Sequence, residues 1–487
     1  MRAWWHSGPP PRRRHPIALP DPARFARLTD RKTIDERAEA GRRARAEIPR
    51  SAHGDWSPAA ARRSAVDLVA EQNADRLPWL VPIRHGRMLA SPFAFFRGAA
   101  RVMAADLATT TSTGLLVQMD GDAHLANFGT YASPERQLVF DANDFDETLR
   151  GPFEWDIKRL AASIAILGRE RDIPRREVND MVAFAVATYR QGIARFAQMP
   201  VLELWYRYLS LNAFERGEYG PINKRGKRTL HEVAHSAYGH DHLQALRKLT
   251  EEVDGKLRIR HSPPLLLSLR DLDVDQDPDA IADAAISTFE TYADTLHDDT
   301  RSVLERYRPL DVGIKVVGVG SVGTRCLVLL MEGHDENDPL FLQIKEATTS
   351  VYEELLDPSP YDHHGRRVVE GQRLAQSVND IFLGWTTGPE GRQFYVRQLR
   401  DWKYSVDLGT VPIDELRSYA ALCAWTLARG HARSGDAVAI DAYVGTNDRL
   451  DRAITAFAQD YADLNVKDYE EFRAAVQGGR LEAASDR

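Results

Sequence analysis

The sequence predicts an α+β protein with two lobes, one large and mainly helical, the other a small antiparallel β lobe. Apolar residues recur at helical spacing in long stretches such as "EWDIKRLAASIAILGRE" (154–170) and "PRREVNDMVAFAVATYRQGIARFAQM" (174–199). At Asp311 the pattern changes to short apolar runs separated by glycines, which is typical of antiparallel strands. A chain of 487 residues, of which 43% are apolar, can bury a core large enough for both lobes.

These patterns divide the chain into four segments. We expect a disordered basic tail, a mainly helical lobe, a β-rich lobe and terminal helices that return to the helical lobe: residues 1–30, 31–310, 311–402 and 403–487. Within the helical lobe, "PFAFFRGAARVMAADLA" (92–108) is predicted to form one buried helix that begins near Pro92.

Composition narrows the class of protein. A formal net charge of −7 and a pI near 6.1 give no overall electrostatic reason to expect nucleic-acid binding. Only two cysteines, Cys326 and Cys423, exclude a disulfide framework and a multi-cysteine metal site. No apolar run reaches the roughly 18 to 20 residues of a membrane span, and the first residues lack the apolar core of a signal peptide. We therefore expect a cytoplasmic protein that binds neither nucleic acid nor a membrane.

One segment concentrates negative charge. "MDGDAHLANFGTYASPERQLVFDANDFDET" (119–148) holds seven carboxylates, whereas its only basic side chains are His124 and Arg136. This excess favours an external cation as the partner. Phosphoryl transfer needs a carboxylate to take the proton of the attacking hydroxyl and oxygen ligands to hold Mg²⁺. Asp122, followed five positions later by Asn127, provides one group of each kind.

The stretch "GDAHLAN" (121–127) resembles the "GDxHxxN" loop of the aminoglycoside phosphotransferase and choline kinase superfamily, which is itself similar to protein kinases. The resemblance implies that Asp122 is the catalytic base and Asn127 a ligand of Mg²⁺, with His124 in a structural position. One residue departs from the pattern, because Asp120 stands where many relatives have a histidine or a similar residue.

The stretch "NDFDETLRGPFEWDIKRLA" (143–161) resembles the acidic metal-binding turn of the same superfamily and the helix that follows it. The resemblance aligns Asp144 with the metal-binding aspartate and Asp156 with the structural aspartate at the start of the helix. Asp141 is the alternative metal ligand, because it directly follows the apolar run "LVF". These acids could instead only cap turns and helices, but the loop, the turn and the helix start in matching order favour function.

Candidate residues for nucleotide binding come later in the chain than the acidic segment. Gly318, Gly320 and Gly323 have G-x-G-x-x-G spacing, and Lys345 follows in the strand-like run "LFLQIKEA" (340–347), as the phosphate-contacting lysine of kinases does. A dinucleotide-binding turn would need a helix after the glycines, whereas the β-rich "RCLVLLMEG" follows. We expect a hairpin that acts as a lid, with glycines that bring backbone N–H groups close to the phosphates.

As a phosphate-contacting residue, Lys345 needs a carboxylate to hold it in place. The helical segment "RRVVEGQRLAQ" (366–376) offers Glu370 as the partner of Lys345, and Glu353 and Glu354 are alternatives on a nearer segment.

The order of these features in the chain predicts a circular permutation. "FYVRQLRDW" (394–402) resembles the strand that leads to the adenine-binding hinge of kinases. "YAALCAWTLARGHARSGD" (419–436) resembles the helix that normally runs into the catalytic loop, but in this chain no such loop follows it. We therefore predict a protein-kinase-like fold, as in aminoglycoside phosphotransferases, with the catalytic half first and the nucleotide lobe after it.

The whole sequence also resembles the bacterial family catalogued as domain of unknown function 2252, through "GDAHLANFG", "NDFDE" and "GVGSVGTR". That family implies no substrate. The kinase-like resemblance implies that the γ-phosphate of ATP is transferred, with Mg²⁺, to a hydroxyl of an acceptor. We expect a small-molecule acceptor, bound in the helical half at about residues 176–305. The sequence leaves the oligomeric state open.

Two functions of other classes stay open. "LHEVAH" contains His231, Glu232 and His235, an H-E-x-x-H motif that binds Zn²⁺ in metalloproteases when it lies on a helix. Its flanks are polar, unlike the apolar packing expected around such a helix. The second of these functions is that of a pseudokinase that binds nucleotide without turnover, and the presence of the predicted base together with both predicted metal ligands argues against it.

Overall fold

The structure of the protein is a computed structural model that describes residues 32–210, 242–269, 287–316, 318–399 and 402–485. The predicted basic tail and the zinc motif at 231–235 lie outside these residues. Within them the chain is a mixed α+β protein in which neighbouring strands pair antiparallel, so the predicted fold class is confirmed at this level.

Helices make up most of the chain before and after the largest sheet. In chain order they are α1 Ile34–Glu47, α2 Ala65–Gln72, α3 Val81–Met88, α4 Pro92–Gly98, α5 Ala100–Leu107, α6 Phe153–Glu170, α7 Arg175–Ala197, α8 Val201–Tyr206, α9 His242–Leu249, α10 Asp298–Leu304, α11 His364–Ala375, α12 Ile413–Ser434, α13 Ala437–Val444 and α14 Arg449–Gln477. Residues 287–293 are also helical.

The strands form one large sheet and three small ones. In chain order they are β1 Leu116–Met119, β2 Phe128–Ala132, β3 Leu138–Ala142, β4 Leu149–Pro152, β5 Leu209–Ser210, β6 Thr250–Val253, β7 Lys256–Ile259, β8 Leu266–Ser268, β9 Arg308–Lys315, β10 Cys326–Glu332, β11 Pro339–Glu346, β12 Gly384–Thr387 and β13 Gln393–Gln398. The large sheet has the order β12-β13-β11-β10-β9-β8, and the small sheets are β1-β4, β2-β3-β5 and β6-β7.

Local signals in the sequence set several helix starts. Thr33 caps α1 in a capping box with Glu36, and the side chain of Ser91 caps α4. Pro174 and Pro412 directly precede α7 and α12. A proline at such a position cannot continue a helix backwards, so it fixes where the helix begins.

The segment 92–108, predicted as one helix, forms two helices. Ala99 separates α4 from α5 with φ −113° and ψ 40°, outside the helical region. The carbonyl oxygen of Gly98 accepts a hydrogen bond of 2.5 Å from Nη2 of the buried Arg84. A guanidinium from α3 thus satisfies a carbonyl at the break, and such a distant partner leaves no trace in the local pattern. A further helix, α13, lies between α12 and α14, the helices predicted at the end of the chain.

The large sheet holds the predicted nucleotide-binding residues. β9 and β10 are neighbours, and the connection between them, residues 316–325 (here the glycine segment), contains the three glycines. Lys345 lies in β11 opposite Cys326 of β10 on one side and Tyr395 of β13 on the other. α11 packs against β12 and β13. Lys345 is therefore fixed in an inner strand that pairs on both sides.

The helical part is built around one large apolar core. α12 packs on α7, and α14 packs on α6 and α7, with core residues such as Leu160, Val186, Leu427 and Phe457. Met119 at the end of β1 is buried in the same core, so the loop that follows β1 starts from a fixed point. No helix in the described part of the chain combines the length and the apolar character that crossing a bilayer requires.

Candidate functional site

The loop at residues 120–127, here the Asp122 loop, keeps its shape through Asp156 near the start of α6. The two carboxylate oxygens of Asp156 accept hydrogen bonds from the backbone N–H of Asp120 at 2.7 Å and of Gly121 at 3.0 Å. Nε2 of His431, near the end of α12, lies 3.1 Å from Oδ2 of Asp156. Asp156 therefore joins the loop to two helices.

Gly121 lets the Asp122 loop approach the acidic turn, residues 143–147. Its φ of 82° lies in the left-handed region that favours glycine. A Cβ at this position would lie 2.3 Å from the carbonyl oxygen of Glu147. A larger residue would therefore push the loop away from the turn.

Asp120 braces the Asp122 loop from inside. Its Oδ1 accepts hydrogen bonds from the N–H of Asp122 at 3.2 Å and from Nδ2 of Asn127 at 3.1 Å. Burial, with the negative charge of Asp156 as the next cause, raises the pKa of Asp120 well above its usual range. These hydrogen bonds support the loop from within, so the departure at Asp120 is compatible with an ordered loop.

Asp122 lies on the cavity side of the loop, with 22% of its side chain exposed. Nε of Arg159, one turn after Asp156 on α6, donates a hydrogen bond of 2.5 Å to Oδ1 of Asp122. The guanidinium of Arg159 is fully buried and lies 4.3 Å from the ring centroid of Phe96. Nε2 of His124 is 3.6 Å from Oδ2 of Asp122. Arg159 therefore fixes the orientation of the predicted base.

The surroundings raise the pKa of Asp122 towards neutral pH. Burial raises the pKa of Asp122 to about 7, although the charge of Arg159 opposes this shift. Burial also holds the pKa of His124 well below its usual range, and the charges of Arg97 and Arg159 add to this effect. His124 is therefore neutral near pH 7, whereas Asp122 has the pKa that a general base needs at that pH.

Asn127 is held by three acceptors. Its Nδ2 donates hydrogen bonds to Oδ1 of Asp120 at 3.1 Å, to the carbonyl oxygen of Asp122 at 3.3 Å and to the carbonyl oxygen of Asp144 at 3.0 Å. Because these contacts occupy the amide nitrogen, Oδ1 is the atom left to act as an acceptor or a metal ligand.

Lys345 reaches from β11 to the acidic turn, 201 residues away in the chain. Its Nζ lies 3.1 Å from both carboxylate oxygens of Asp144 and also contacts Asp146. Burial lowers the pKa of Lys345, but the charges of Asp144 and Asp146 outweigh burial and raise it well above its usual range. Burial likewise disfavours the carboxylate of Asp144, but Lys345 and then Arg397 lower its pKa. The pair Lys345–Asp144 is therefore charged on both sides.

Asp146 links the acidic turn to the sheet and to the glycine segment. The hydroxyl of Tyr395 donates a hydrogen bond of 2.7 Å to its Oδ1, and the hydroxyl of Ser321 donates one of 3.3 Å to its Oδ2. Burial and the neighbouring charge of Asp144 raise the pKa of Asp146. The two halves of the chain therefore share one hydrogen-bond network around Lys345.

The glycine segment is fastened to the helical half, which differs from the predicted lid. Arg76 donates hydrogen bonds to the carbonyl oxygens of Gly320 at 2.8 Å and of Val322 at 2.5 Å. Gly323 has φ 94°, and a Cβ there would lie 3.0 Å from the side chain of Arg76. Gly318 and Gly320 line the cavity described below, whereas Gly323 serves the turn.

Asp141, the alternative metal ligand, lies in a buried ion pair. Its side chain is 1% exposed, and its two oxygens lie 2.8 and 2.9 Å from Nη2 of Arg429. The N–H of Ser377 donates a further hydrogen bond of 2.9 Å to Oδ2. Because β3 runs through the core, the carboxylate that directly follows its apolar run is enclosed with Arg429. The structure therefore gives Asp141 a structural position and does not place it on the cavity.

The pairing predicted between Lys345 and a glutamate is wrong in this structure. Each of the three candidate glutamates pairs with an arginine instead: Glu370 with Arg373 at 3.2 Å, Glu353 with Arg367 at 3.4 Å and Glu354 with Arg101 at 2.9 Å. Lys345 takes Asp144 and Asp146 as partners because the acidic turn packs directly against β11.

A cavity of about 1010 Å³ lies between the helical half and the large sheet. Most of the residues predicted for chemistry line it: Asp122, His124, Asn127, Asp144, Gly318, Gly320 and Lys345. Asp146, Glu147 and Arg397 join them. The predicted base, the predicted oxygen ligands and the predicted phosphate-binding lysine therefore face the same space.

The oxygen atoms at this cavity suit Mg²⁺ that arrives with phosphates. Within the residues described, no group of three or more His, Cys, Asp or Glu is arranged to hold a metal ion by itself. Mg²⁺ in phosphoryl-transfer sites needs only one or two carboxylates, because phosphate oxygens and waters complete its octahedron. Asp144 and Oδ1 of Asn127 provide hard oxygen donors of that kind, so the residues present fit such an ion.

Several residues of the site were not predicted from the sequence. Arg159 follows Asp156 by three positions, so helical spacing would have placed it near the Asp122 loop once Asp156 was assigned there. Arg76 contacts Gly320 across 244 residues, and Tyr395 contacts Asp146 across 249 residues. Contacts of that range have no local signal in a single sequence.

Comparison with known proteins identifies a family. A family model described as "Uncharacterized protein conserved in bacteria (DUF2252)" matches residues 76–475. Neither a curated protein nor a solved structure matches the chain.

Substitution of Asp141 and of Asp144 should distinguish a carboxylate with a structural role from the carboxylate predicted to bind a metal ion. We expect Asp141→Asn to destabilise the fold by about 3–5 kcal/mol, because it leaves Arg429 buried without its counter-charge. We expect Asp144→Asn to weaken apparent Mg²⁺ affinity in the presence of ATP by roughly tenfold or more, with a smaller change in stability. Chemical denaturation measures the first effect, and a Mg²⁺ titration of nucleotide binding measures the second. The reverse pattern would contradict both assignments.

Proposed function

The chain belongs to the bacterial family DUF2252 of uncharacterized proteins, and we propose that it is a kinase-like phosphotransferase that moves the γ-phosphate of ATP to a hydroxyl. The observation that carries the proposal is the contact of Lys345 with Asp144 and Asp146 in the cavity that also contains Asp122 and Asn127. A lysine from a glycine-bearing sheet beside metal-binding and base carboxylates is the arrangement that phosphoryl transfer needs.

The order of elements in the large sheet supports a nucleotide lobe. Counted from β9, the glycine segment joins the first and second strands, and Lys345 lies in the third strand, β11. A helix, α11, follows before the last two strands. In protein kinases the glycine-rich loop likewise comes first, the lysine lies on the third strand and a helix comes next.

The end of α12 supports the proposed circular permutation. Oγ of Ser434 accepts a hydrogen bond of 3.1 Å from the N–H of Gln118 in β1. A Cβ on Gly435 would lie 2.9 Å from the carbonyl oxygen of Leu116. The helix that resembles the one leading into a kinase catalytic loop therefore ends beside the strand that leads to the Asp122 loop.

The proposed mechanism assigns a role to each group on the cavity. Asp122, held by Arg159, orients the acceptor hydroxyl and takes its proton. Asn127 and Asp144 hold Mg²⁺, which when bound neutralises charge on the phosphates. Lys345 and the backbone of Gly318 and Gly320 contact the phosphates. Catalysis rests mainly on positioning and on charge neutralisation.

A nucleotide switch without turnover is the second candidate function, and it is favoured by the contact between Asp122 and Arg159. Nε of Arg159 already occupies Oδ1 of Asp122 at 2.5 Å, and a carboxylate oxygen engaged in this way is less free to take a proton from an acceptor. The two candidates share nucleotide binding and differ in turnover.

Stabilisation by MgATP tests the class. We expect MgATP to raise the melting temperature in a thermal-shift screen more than ATP without Mg²⁺, because a ligand that binds only the folded state stabilises it. Lys345→Ala should weaken nucleotide binding by at least about tenfold, which is 1.4 kcal/mol. Lys256→Ala, at an exposed position in β7, is the matched control. A nucleotide affinity unaltered by Lys345→Ala would contradict the proposed lobe.

Removal of the proposed base tests turnover. We expect Asp122→Asn to retain MgATP affinity and to reduce turnover by at least about a hundredfold, the usual contribution of a general base. Hydrolysis of MgATP, with water in place of the unidentified acceptor, provides the assay. The exposed Asp357→Asn is the control. Full activity of Asp122→Asn would rule out this role, and nucleotide binding with no hydrolysis in the wild type would favour the switch.

The pH dependence of hydrolysis should report Asp122. Because the free protein binds a proton at Asp122 with a pKa of about 7 and the base must be deprotonated, kcat/KM for MgATP should rise with pH through that value. Arg159→Met removes the charge that lowers this pKa, so the rise in kcat/KM should move to higher pH. His124→Gln should leave the rise at the same pH, because the pKa of His124 is far lower. Loss of the rise in His124→Gln would contradict the assignment to Asp122.

A further inference from the structure

Positive charge lines the cavity together with the acidic turn. Besides Lys345 and Arg397, the lining includes six basic side chains from both halves of the chain: Arg87, Arg97, Lys248, Arg260, Lys315 and Lys403. The cavity of about 1010 Å³ is at the upper end of the range usual for small-molecule sites. The space and the charge therefore suit a second anionic ligand beside a nucleotide.

Arg97, near the end of α4, has no partner in the part of the chain that the structure describes. It forms no hydrogen bond or ion pair there, and its Nε is buried without an acceptor. Burial lowers the pKa of Arg97, while the charge of Asp122 opposes this effect. The buried Arg159 and Arg76 are paired, Arg159 with Asp122 and Arg76 with the glycine segment. Arg97 is half-buried, and its unpaired guanidinium is available to an anion that enters the cavity.

His124 adds a second unsatisfied group to the lining of the cavity. Its side chain is 6% exposed, and its Nδ1 is buried with no hydrogen-bond partner among the described residues. Arg97 belongs to α4 and His124 to the Asp122 loop. Both line the cavity together with Asp122. A ligand that reaches Asp122 therefore also meets one guanidinium and one neutral imidazole.

We propose that Arg97, with His124 in the same cavity lining, binds an anionic group of the acceptor, so that the acceptor is a small molecule that carries both a hydroxyl and a phosphate or carboxylate. This inference rests on the proposed phosphotransferase function, because that function requires the acceptor hydroxyl to lie beside Asp122. Arginine binds phosphate and carboxylate through two parallel N–H donors, which also fixes the orientation of the ligand.

The bound anion would orient the acceptor hydroxyl towards the γ-phosphate of ATP. The acceptor hydroxyl oxygen forms a bond to the γ-phosphorus as the bond from that phosphorus to the bridging oxygen of ADP breaks. The hydroxyl proton passes to the carboxylate of Asp122, and the electron pair of the broken bond leaves with ADP. Arg97 contacts neither the breaking bond nor the proton, so it is a positioning residue for the acceptor.

Inorganic phosphate is the probe that tests this subsite. It is titrated by calorimetry into the full chain saturated with Mg²⁺ and a non-hydrolysable ATP analogue. We expect the wild-type protein to bind phosphate under these conditions and Arg97→Gln to weaken this binding by at least about tenfold, the effect of losing a charge-assisted hydrogen bond. Arg97→Lys should bind with intermediate affinity, because it keeps the charge and loses the fork. Arg101→Gln, whose arginine pairs with Glu354 at 2.9 Å outside the cavity, is the matched control.

The other outcomes overturn the proposal in distinguishable ways. No phosphate binding by the wild type, or equal binding by the wild type and both Arg97 variants, excludes the subsite. Phosphate that binds the MgADP complex but is displaced by the ATP analogue assigns Arg97 to the γ-phosphate of the nucleotide, which excludes the acceptor role. The same titration without nucleotide separates the proposed subsite from the proposed phosphotransferase function. If the protein binds phosphate through Arg97 but does not bind MgATP, the anion site is real and the phosphotransferase function is refuted.

Discussion

The burial of Lys345 is the constraint on which the site depends. An ammonium group with only 2% of its side chain exposed requires negative charge around it. Both of its carboxylate partners come from the acidic turn, in the other half of the chain. Separation of the sheet from the acidic turn would leave one buried cation and two crowded carboxylates unpaired. This ion-pair cluster therefore holds the two halves at the distance that encloses the cavity.

The same need for counter-charge applies to the acidic segment, residues 119–148. Its own residues supply almost no positive charge, but distant parts of the chain do: Arg159 pairs with Asp122, Arg429 with Asp141 and Lys345 with Asp144. Asp120 avoids the problem by a raised pKa. An excess of carboxylates in one segment is thus not by itself a reason for a metal ion. The narrower reason is the pair formed by Asp144 and Oδ1 of Asn127, next to a lysine that phosphates would also contact.

Spacing in the sequence identified those site residues that lie close to one another in the chain. Asp122 and Asn127 belong to one loop, and Gly318 and Gly320 belong to one connection between strands, so their grouping follows from short-range pattern. Asp144, the first choice as metal ligand, also lines the cavity. Asp141 lies three residues earlier in an equally acidic context, and only the burial of β3 against Arg429 separates the two.

The remaining contacts were beyond the sequence because tertiary packing decides them. Glu370 is in a helix with the right composition, but its own helix offers Arg373 one turn away, and the acidic turn is nearer to Lys345. The glycine segment has the composition of a free hairpin, yet Arg76 fixes two of its carbonyl groups. In each instance a long side chain from a distant element decides which of several similar groups faces the cavity.

The contacts that link α12 to the Asp122 loop show how this loop can keep its position without a covalent connection to the helix. His431 meets Asp156, which holds the backbone of Asp120 and Gly121, and Ser434 meets Gln118 in the strand before the loop. These bonds fix the start of the loop through side chains. On the proposed permutation, a peptide link between helix and loop is dispensable because this network already holds the loop beside α12, so the proposed nucleotide lobe can follow the proposed catalytic half in the chain while facing it in space.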